Sequence, residues 1–289
     1  MKRDIHLLVI DPQNDFCDLP ADYLPADPVH GGAYAPALPV AGAHADMLRL
    51  AELINRGSKG LSGISVTLDS HHRLDIAHPT FWMGGGGEAV VPFTQISLSE
   101  VRAGKYLPRE ASALPRVLAY LDALEAAGRY RLMVWPIHCE IGTWGHNVHA
   151  DVRAAYSRWE DAELRIVNKV SKGMNPWTEH YSAIMAEVPD ASDPDTQLNR
   201  RFIDLLAQAD QIYITGEAGS HCVKATTEHI ADNFGQGDLS KLVLITDCMS
   251  AVAGFDAQYD GFVRDMTARG VQTAKAVDVL PELIANARR

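Results

Sequence analysis

The sequence predicts an α/β protein: a doubly wound, mostly parallel six-stranded sheet with helices on both faces. Three observations carry this. Short apolar runs recur at 7–10, 64–68, 132–134, 212–214, 242–245 and, less sharply, 271–276. Each is too short for a helix and continuous enough to be buried on both faces. Between several of them the apolar residues repeat every three or four positions, as on one face of a helix. Three of those segments end just before a glycine, which tolerates the left-handed conformation that commonly closes a helix. Strand-like runs alternating with amphipathic helices are the pattern of a parallel sheet covered on both sides.

Taken in order, the run at 7–10 ends on Asp11, and a helix follows with Met47, Leu50, Ala51 and Ile54 before Gly57. The run at 64–68 ends on Asp69. A second helix carries Leu114, Val117, Leu118 and Leu121 before Gly128, and the run at 132–134 comes next. The run at 212–214 leads to Gly216, and from Val223 onward the pattern is helical again. After 242–245, a helix with Phe255, Tyr259, Phe262 and Met266 stops before Gly270, and 271–276 forms the last run. In such a sheet the ligand site lies beyond the carboxyl ends of the strands. Those ends deliver Asp11, then Asp69 and His71, then His138, then the turn from Gly216 to Cys222.

A chain of 289 residues that is 47% hydrophobic and 22% charged can bury a full core, and one domain over 1–289 is expected. Irregular stretches at 18–42, 81–92 and 189–195 interrupt the pattern. Those near 18–42 and 81–112 read as lid-like insertions. The net charge of −11 argues against nucleic acid, whose binding rests on clustered Lys and Arg. The apolar run at 7–10 is too short for a signal segment or a membrane span, so a cytoplasmic protein is expected. Cys17, Cys139, Cys222 and Cys248 show no CxxC spacing, which indicates neither a disulfide framework nor a structural zinc site.

Cys222 stands where a turn meets a predicted helix. Unpaired amides there would lower a thiol pKa and could bind a developing oxyanion, but a buried structural cysteine fits the segment as well. Cys17, Cys139 and Cys248 are read as structural. Asp69-Ser70-His71 puts two metal-capable side chains on one side of a strand end, and His78 and His138 could join them. Such a shell suits Zn, Fe or Mn with an open position, while a bare D-x-H is also common as an ordinary surface pair. A lysine beside a thiol and a carboxylate can hold negative charge, and both Lys172, followed by Gly173, and Lys169 are candidates.

Together these segments resemble the nicotinamidase branch of the isochorismatase-like cysteine hydrolases. IDPQNDFC is similar to that family's D-x-Q-N-D-F motif, which makes Asp11 the catalytic acid/base. LDSHH resembles its metal-binding D-x-H, with Asp69 and His71, and the resemblance adds His78 in AHPTFW and His138 in WPIHCEIGTWG. KGMNPWTEHYSA is similar to the family's K-G segment and selects Lys172. GEAGSHCVKAT resembles the segment carrying the nucleophile, here Cys222, with a non-proline cis peptide between Glu217 and Ala218 that serves the oxyanion hole. All of these occur in family order between Ile5 and about Ala276.

The resemblance further implies one divalent metal ion (Zn, Fe or Mn), a small amide substrate whose ring lies between Phe16 and Trp135, and a homo-oligomer. Thiolate attack would release ammonia, protonated by Asp11, and water would hydrolyse the thioester. The chain departs from the family at Ser220 and His221, where an acid and an aromatic residue are usual; this bears on the pocket and its substrate. The leading expectation is hydrolysis of nicotinamide to nicotinate. A related hydrolase of another small amide or carbamoyl compound competes with it, as does a ligand-binding protein without catalysis.

Overall fold

The computed structural model describes residues 2–235 and 238–288. In chain order its regular elements are β1 (Ile5–Ile10), α1 (Ala43–Gly57), β2 (Gly63–Asp69), β3 (Trp82–Gly84), β4 (Thr94–Ile96), α2 (Leu98–Arg102), β5 (Tyr106–Pro108), α3 (Leu114–Ala127) and β6 (Leu132–Val134). Then come α4 (Ala150–Glu163), β7 (Asn168–Lys172), α5 (Arg200–Ala207), β8 (Gln211–Gly216), α6 (Cys222–Asn233), β9 (Leu242–Ile245), α7 (Asp256–Ala268), β10 (Gln272–Ala274) and α8 (Ala276–Ala287).

Six strands form one sheet in the order β10-β9-β8-β1-β2-β7, every neighbouring pair parallel. β1 is central in the sheet and covered on both faces, so Ile5, Leu7, Leu8, Val9 and Ile10 are fully buried. Each such side chain contributes about 1.5–3 kcal/mol. From β1 the chain steps through β2 to β7, then returns to the other side of β1 at β8 and continues to β9 and β10. With right-handed crossovers, that reversal puts α1 and α4 over one face and α6 and α7 over the other. The packing follows suit: α1 lies against α4 and α8, and α6 against α7. β1 and β8 flank the reversal, and a doubly wound sheet opens its ligand crevice at that point.

The sheet corrects the expected strand set at one place. Its sixth strand is β7, while the run at 132–134 lies outside it as β6, paired antiparallel with β4. β7 is an edge strand whose outer residues alternate between intermediate and exposed, so NKVSK never reads as an apolar run. β6 is apolar for another reason: Leu132 and Val134 join Ile76, Trp82, Ile96 and Leu121 in a second apolar cluster. Residues 81–112, which include the antiparallel β3–β5 pair, supply much of that cluster. Residues 18–42 run back along the first turn, where the Leu38 and Val40 amides donate to the carbonyls of Asp15 and Phe16. Among the described residues no helix is long and apolar enough to cross a membrane.

Candidate active site

The ends of β1, β2, β7 and β8 meet at the reversal and bring Asp11, Asp69, Lys172 and the turn before Cys222 together. Two glycines permit this. Gly216, at φ +118°, lies so close to β1 that a Cβ would fall 1.9 Å from the Ile10 carbonyl oxygen. Gly173, at φ +83°, would put a Cβ 3.0 Å from Asp69 Oδ1. Asp11 itself has φ +43°, a costly conformation outside glycine that concentrates at functional sites.

Lys172 is the hub. Its Nζ lies 2.9 Å from Asp11 Oδ2, donates to Asp69 Oδ1 at 2.9 Å, and is 3.5 Å from Cys222 Sγ. All four residues are buried. Thr67 Oγ1 donates to Asp11 Oδ1 at 2.5 Å, whereas Oδ2 faces the Lys172 ammonium. Lys169, the alternative lysine, is exposed and lies near Glu160 and over the Tyr156 ring, away from this group.

Burial pushes the Cys222 thiol well above its ordinary pKa, with the Lys172 ammonium acting the other way. This runs against the expectation of a thiol lowered by the helix end: desolvation in the closed crevice outweighs the neighbouring positive charge. Burial also raises Asp11, again opposed by Lys172. A carboxylate of raised proton affinity beside a thiol is suited to take its proton. Lys172 is held well above the usual lysine value; burial opposes its charge, but Asp11 and Asp69 overcome that.

On the far side of Asp69 lie three histidines. His71, His78 and His138 are buried, with ligand atoms within 4.8 Å of one another. Asp69 Oδ2 is 3.2 Å from His71 Nε2 and 3.3 Å from His138 Nε2, and His78 Nε2 is 3.3 Å from His138 Nδ1. His138 faces Asp69 with Nε2 and His78 with Nδ1, so it offers an ion one of the two; with one nitrogen from each histidine within 4.8 Å of the others and the Asp69 carboxylate beside them, the donor types suit a divalent metal. Burial drives His78 down to about 2, with His138 and His71 adding to the effect; a neutral imidazole is the ligating form. His71 Nδ1 is fixed by Asp75 Oδ2 at 3.1 Å, the orienting contact a metal-binding histidine usually has.

The pocket at the thiol is lined by Phe16, Trp135, His138, Asp69, Ala218, His221 and Cys222 among others. The Phe16 ring is 5.5 Å from that of His138. The Glu217–Ala218 peptide is cis, and the amides of Ala218 and Cys222 meet no acceptor among the described residues. Sequence reading passed over several contributors. Gln13 brackets Asp69, donating to its carbonyl at 2.8 Å and accepting from its amide at 2.7 Å. Asp15 accepts from the amide of Cys139, next to His138. Both lie in IDPQNDFC, the signal that could have found them. Glu179 lines the pocket with Oε1 buried and unpartnered, and burial raises it to about 8. Nothing in its local sequence sets it apart from other acids.

No protein-family model and no curated protein sequence matches the chain. Solved structures do. A nicotinamidase/pyrazinamidase from Acinetobacter baumanii is 18% identical, with 96% of this chain and 98% of that one covered and a TM-score of 0.61. The yeast nicotinamidase is 17% identical, with 93% and 99% covered and a TM-score of 0.60. A Pyrococcus horikoshii pyrazinamidase in complex with zinc is 18% identical, with 94% and 99% covered and a TM-score of 0.52. Over nearly its whole length, then, the chain has the fold of the nicotinamidases and pyrazinamidases, as the sequence resemblance implied.

Proposed function

We propose that the protein is a cysteine amidohydrolase that cleaves the carboxamide of a small aromatic amide, nicotinamide being the reference substrate, to the carboxylate and ammonia. The observation that carries this reading is the buried Asp11–Lys172–Cys222 group, in which one ammonium touches both a carboxylate and a thiol, a set suited to nucleophilic attack rather than binding alone. The nicotinamidases and pyrazinamidases of the same fold support the substrate class.

The aromatic ring lies between Phe16 and Trp135, with its carboxamide at Cys222. Asp11 takes the thiol proton, and Lys172 keeps the thiolate next to a positive charge. The sulfur attacks the carboxamide carbon, and the oxygen of the tetrahedral intermediate is received by the free amides of Ala218 and Cys222. Asp11 then returns the proton to the leaving nitrogen. Ammonia departs and leaves a thioester on Cys222. Water, deprotonated by Asp11, attacks the thioester and releases the acid and the thiol.

Asp69, His71, His78 and His138 would hold a divalent ion, with Zn, Fe and Mn all compatible with nitrogen and carboxylate donors. Such an ion would supply a Lewis acid beside the substrate. Zinc in the Pyrococcus horikoshii pyrazinamidase supports this choice. Leu38, from 18–42, borders the pocket, which supports a role for that insertion in covering it. The test is direct: pure protein with nicotinamide releases equal amounts of ammonia and nicotinate. Absence of both products, from nicotinamide and from every other aromatic carboxamide offered, with the divalent ion supplied, refutes the amidase.

A further inference from the structure

A second cleft adjoins the pocket at Cys222. Trp135, Tyr181 and His221 line both that pocket and this cleft of about 780 Å³. Clefts of about 300–1,000 Å³ hold ligands of drug size, and nicotinamide, one ring with one substituent, would leave this volume largely empty. The floor is aromatic. The His221 ring lies 4.7 Å from Phe255, 5.2 Å from Trp135, 5.4 Å from Tyr181 and 6.2 Å from Tyr130, centre to centre. Burial, with Lys224 adding to it, lowers His221 to about 4, so the floor is uncharged near neutrality. Trp135 and Phe255 meet His221 edge to face and Tyr130 stacks with it, and an aromatic cluster of this kind can take a further ring against an exposed edge or face.

The wall is basic, in a chain whose net charge is −11. Arg129 and Lys224 are engaged: Arg129 contacts Glu187 and Glu228, and Lys224 contacts Glu228 at 3.0 Å. Glu125, also on the wall, accepts the Leu98 amide. Arg131 differs. It lines the cleft, is exposed, and has no carboxylate within ion-pair distance among the described residues. A guanidinium with free donors is matched to a carboxylate or phosphate.

Resting on the amidase reading above, we propose that the preferred substrate is a carboxamide whose aromatic acyl part extends into this cleft as a second flat ring and ends in an anionic group held by Arg131. His221 and Ser220, the two positions that depart from the family pattern, both line the cleft. Ser220 Oγ is 2.9 Å from His221 Nδ1 and accepts the Val252 amide, which fixes the His221 ring at the cleft.

The test compares nicotinamide with 5- and 6-phenylnicotinamide and with the corresponding 4-carboxyphenyl compounds. For at least one regioisomer, kcat/KM should rise from nicotinamide to the phenyl compound, and by about a further tenfold with the carboxylate. Arg131→Gln should bring the carboxylate and neutral forms within about twofold of each other. Arg56→Gln, a surface control on α1, should leave the tenfold preference in place. Nicotinamide turned over at least as well as every extended amide overturns the proposal. So does a carboxylate preference that survives Arg131→Gln. A separate readout is binding of the carboxyphenyl amides to Cys222→Ala by calorimetry. Binding that depends on Arg131, with no amide hydrolysed by the native protein, would keep the cleft and overturn the amidase instead.

Discussion

Replacing Lys172 by Met removes the ammonium that sits 2.9 Å from Asp11, 2.9 Å from Asp69 and 3.5 Å from the Cys222 sulfur. Two unit charges at 3.5 Å interact by about 5 kcal/mol at an effective dielectric of about 20. Protonation of the carboxylates left behind returns part of that. If a third survives, the thiolate fraction falls by about tenfold, since about 1.4 kcal/mol is one decade. The assay is the rate of iodoacetamide alkylation of Cys222 against pH. Because burial already raises the thiol, the native profile should lie alkaline of a free cysteine, and Lys172→Met should lie further still. Lys169→Met, on the same strand but paired outward with Glu160, should overlay the native curve. Thermal unfolding run in parallel should show a loss of about 3–5 kcal/mol for Lys172→Met, the cost of a buried charge pair broken on one side. Coincident alkylation curves for the native protein and Lys172→Met would refute the assigned role of the lysine.

Three further expectations concern the metal group and the sheet. The purified protein should hold about one Zn, Fe or Mn per chain, lost from His138→Ala by elemental analysis; equal metal content in both would contradict the ligand set. Asp75→Asn keeps the shape but weakens the grip on His71 Nδ1, and should lower metal affinity about 10–100-fold in a competition titration. His6, buried in β1 with its Nε2 2.9 Å from Ser65 Oγ, is lowered by burial to about 4. Its folded value lies below the unfolded 6.5, so its stabilising share is present above pH 6.5 and is lost as the pH falls towards 4. At pH 5 about 1.5 pH units at about 1.4 kcal/mol each gives a loss of about 2 kcal/mol. His6→Gln should therefore lose less stability than the native protein between pH 7.5 and pH 5; parallel losses would show that His6 is not buried neutral.

Where the local pattern and the tertiary role agree, the sequence was a sufficient guide. β1 is an unbroken apolar run because it is buried on both faces, and Asp11 follows from where that run stops. β7 escaped notice because an edge strand carries polar side chains on its open side. β6 misled because its apolar residues serve the second cluster instead of the main sheet. At the site, Asp11, Asp69, His71, His138, Lys172 and Cys222 stand in recognisable short motifs, and the fold brings them within reach of one another. Gln13, Asp15 and Asp75 did not stand out, since what each does depends on a backbone or ring supplied by the folded neighbourhood. The direction of the Cys222 pKa was misjudged for a related reason. The helix end is visible in sequence, but the desolvation that outweighs it belongs to the closed crevice.

The central claim is that Cys222 attacks a carboxamide carbon and carries the acyl group until water removes it. Rapid acid quenching of the metal-loaded protein with excess nicotinamide, followed by intact and peptide mass measurement, tests it most directly. The account predicts a nicotinoyl adduct on the Cys222 peptide during turnover, absent once substrate is exhausted and absent in Cys222→Ala, which should also release no ammonia. Ammonia released by Cys222→Ala at a rate close to the native one, or an adduct found on any other residue, would contradict it.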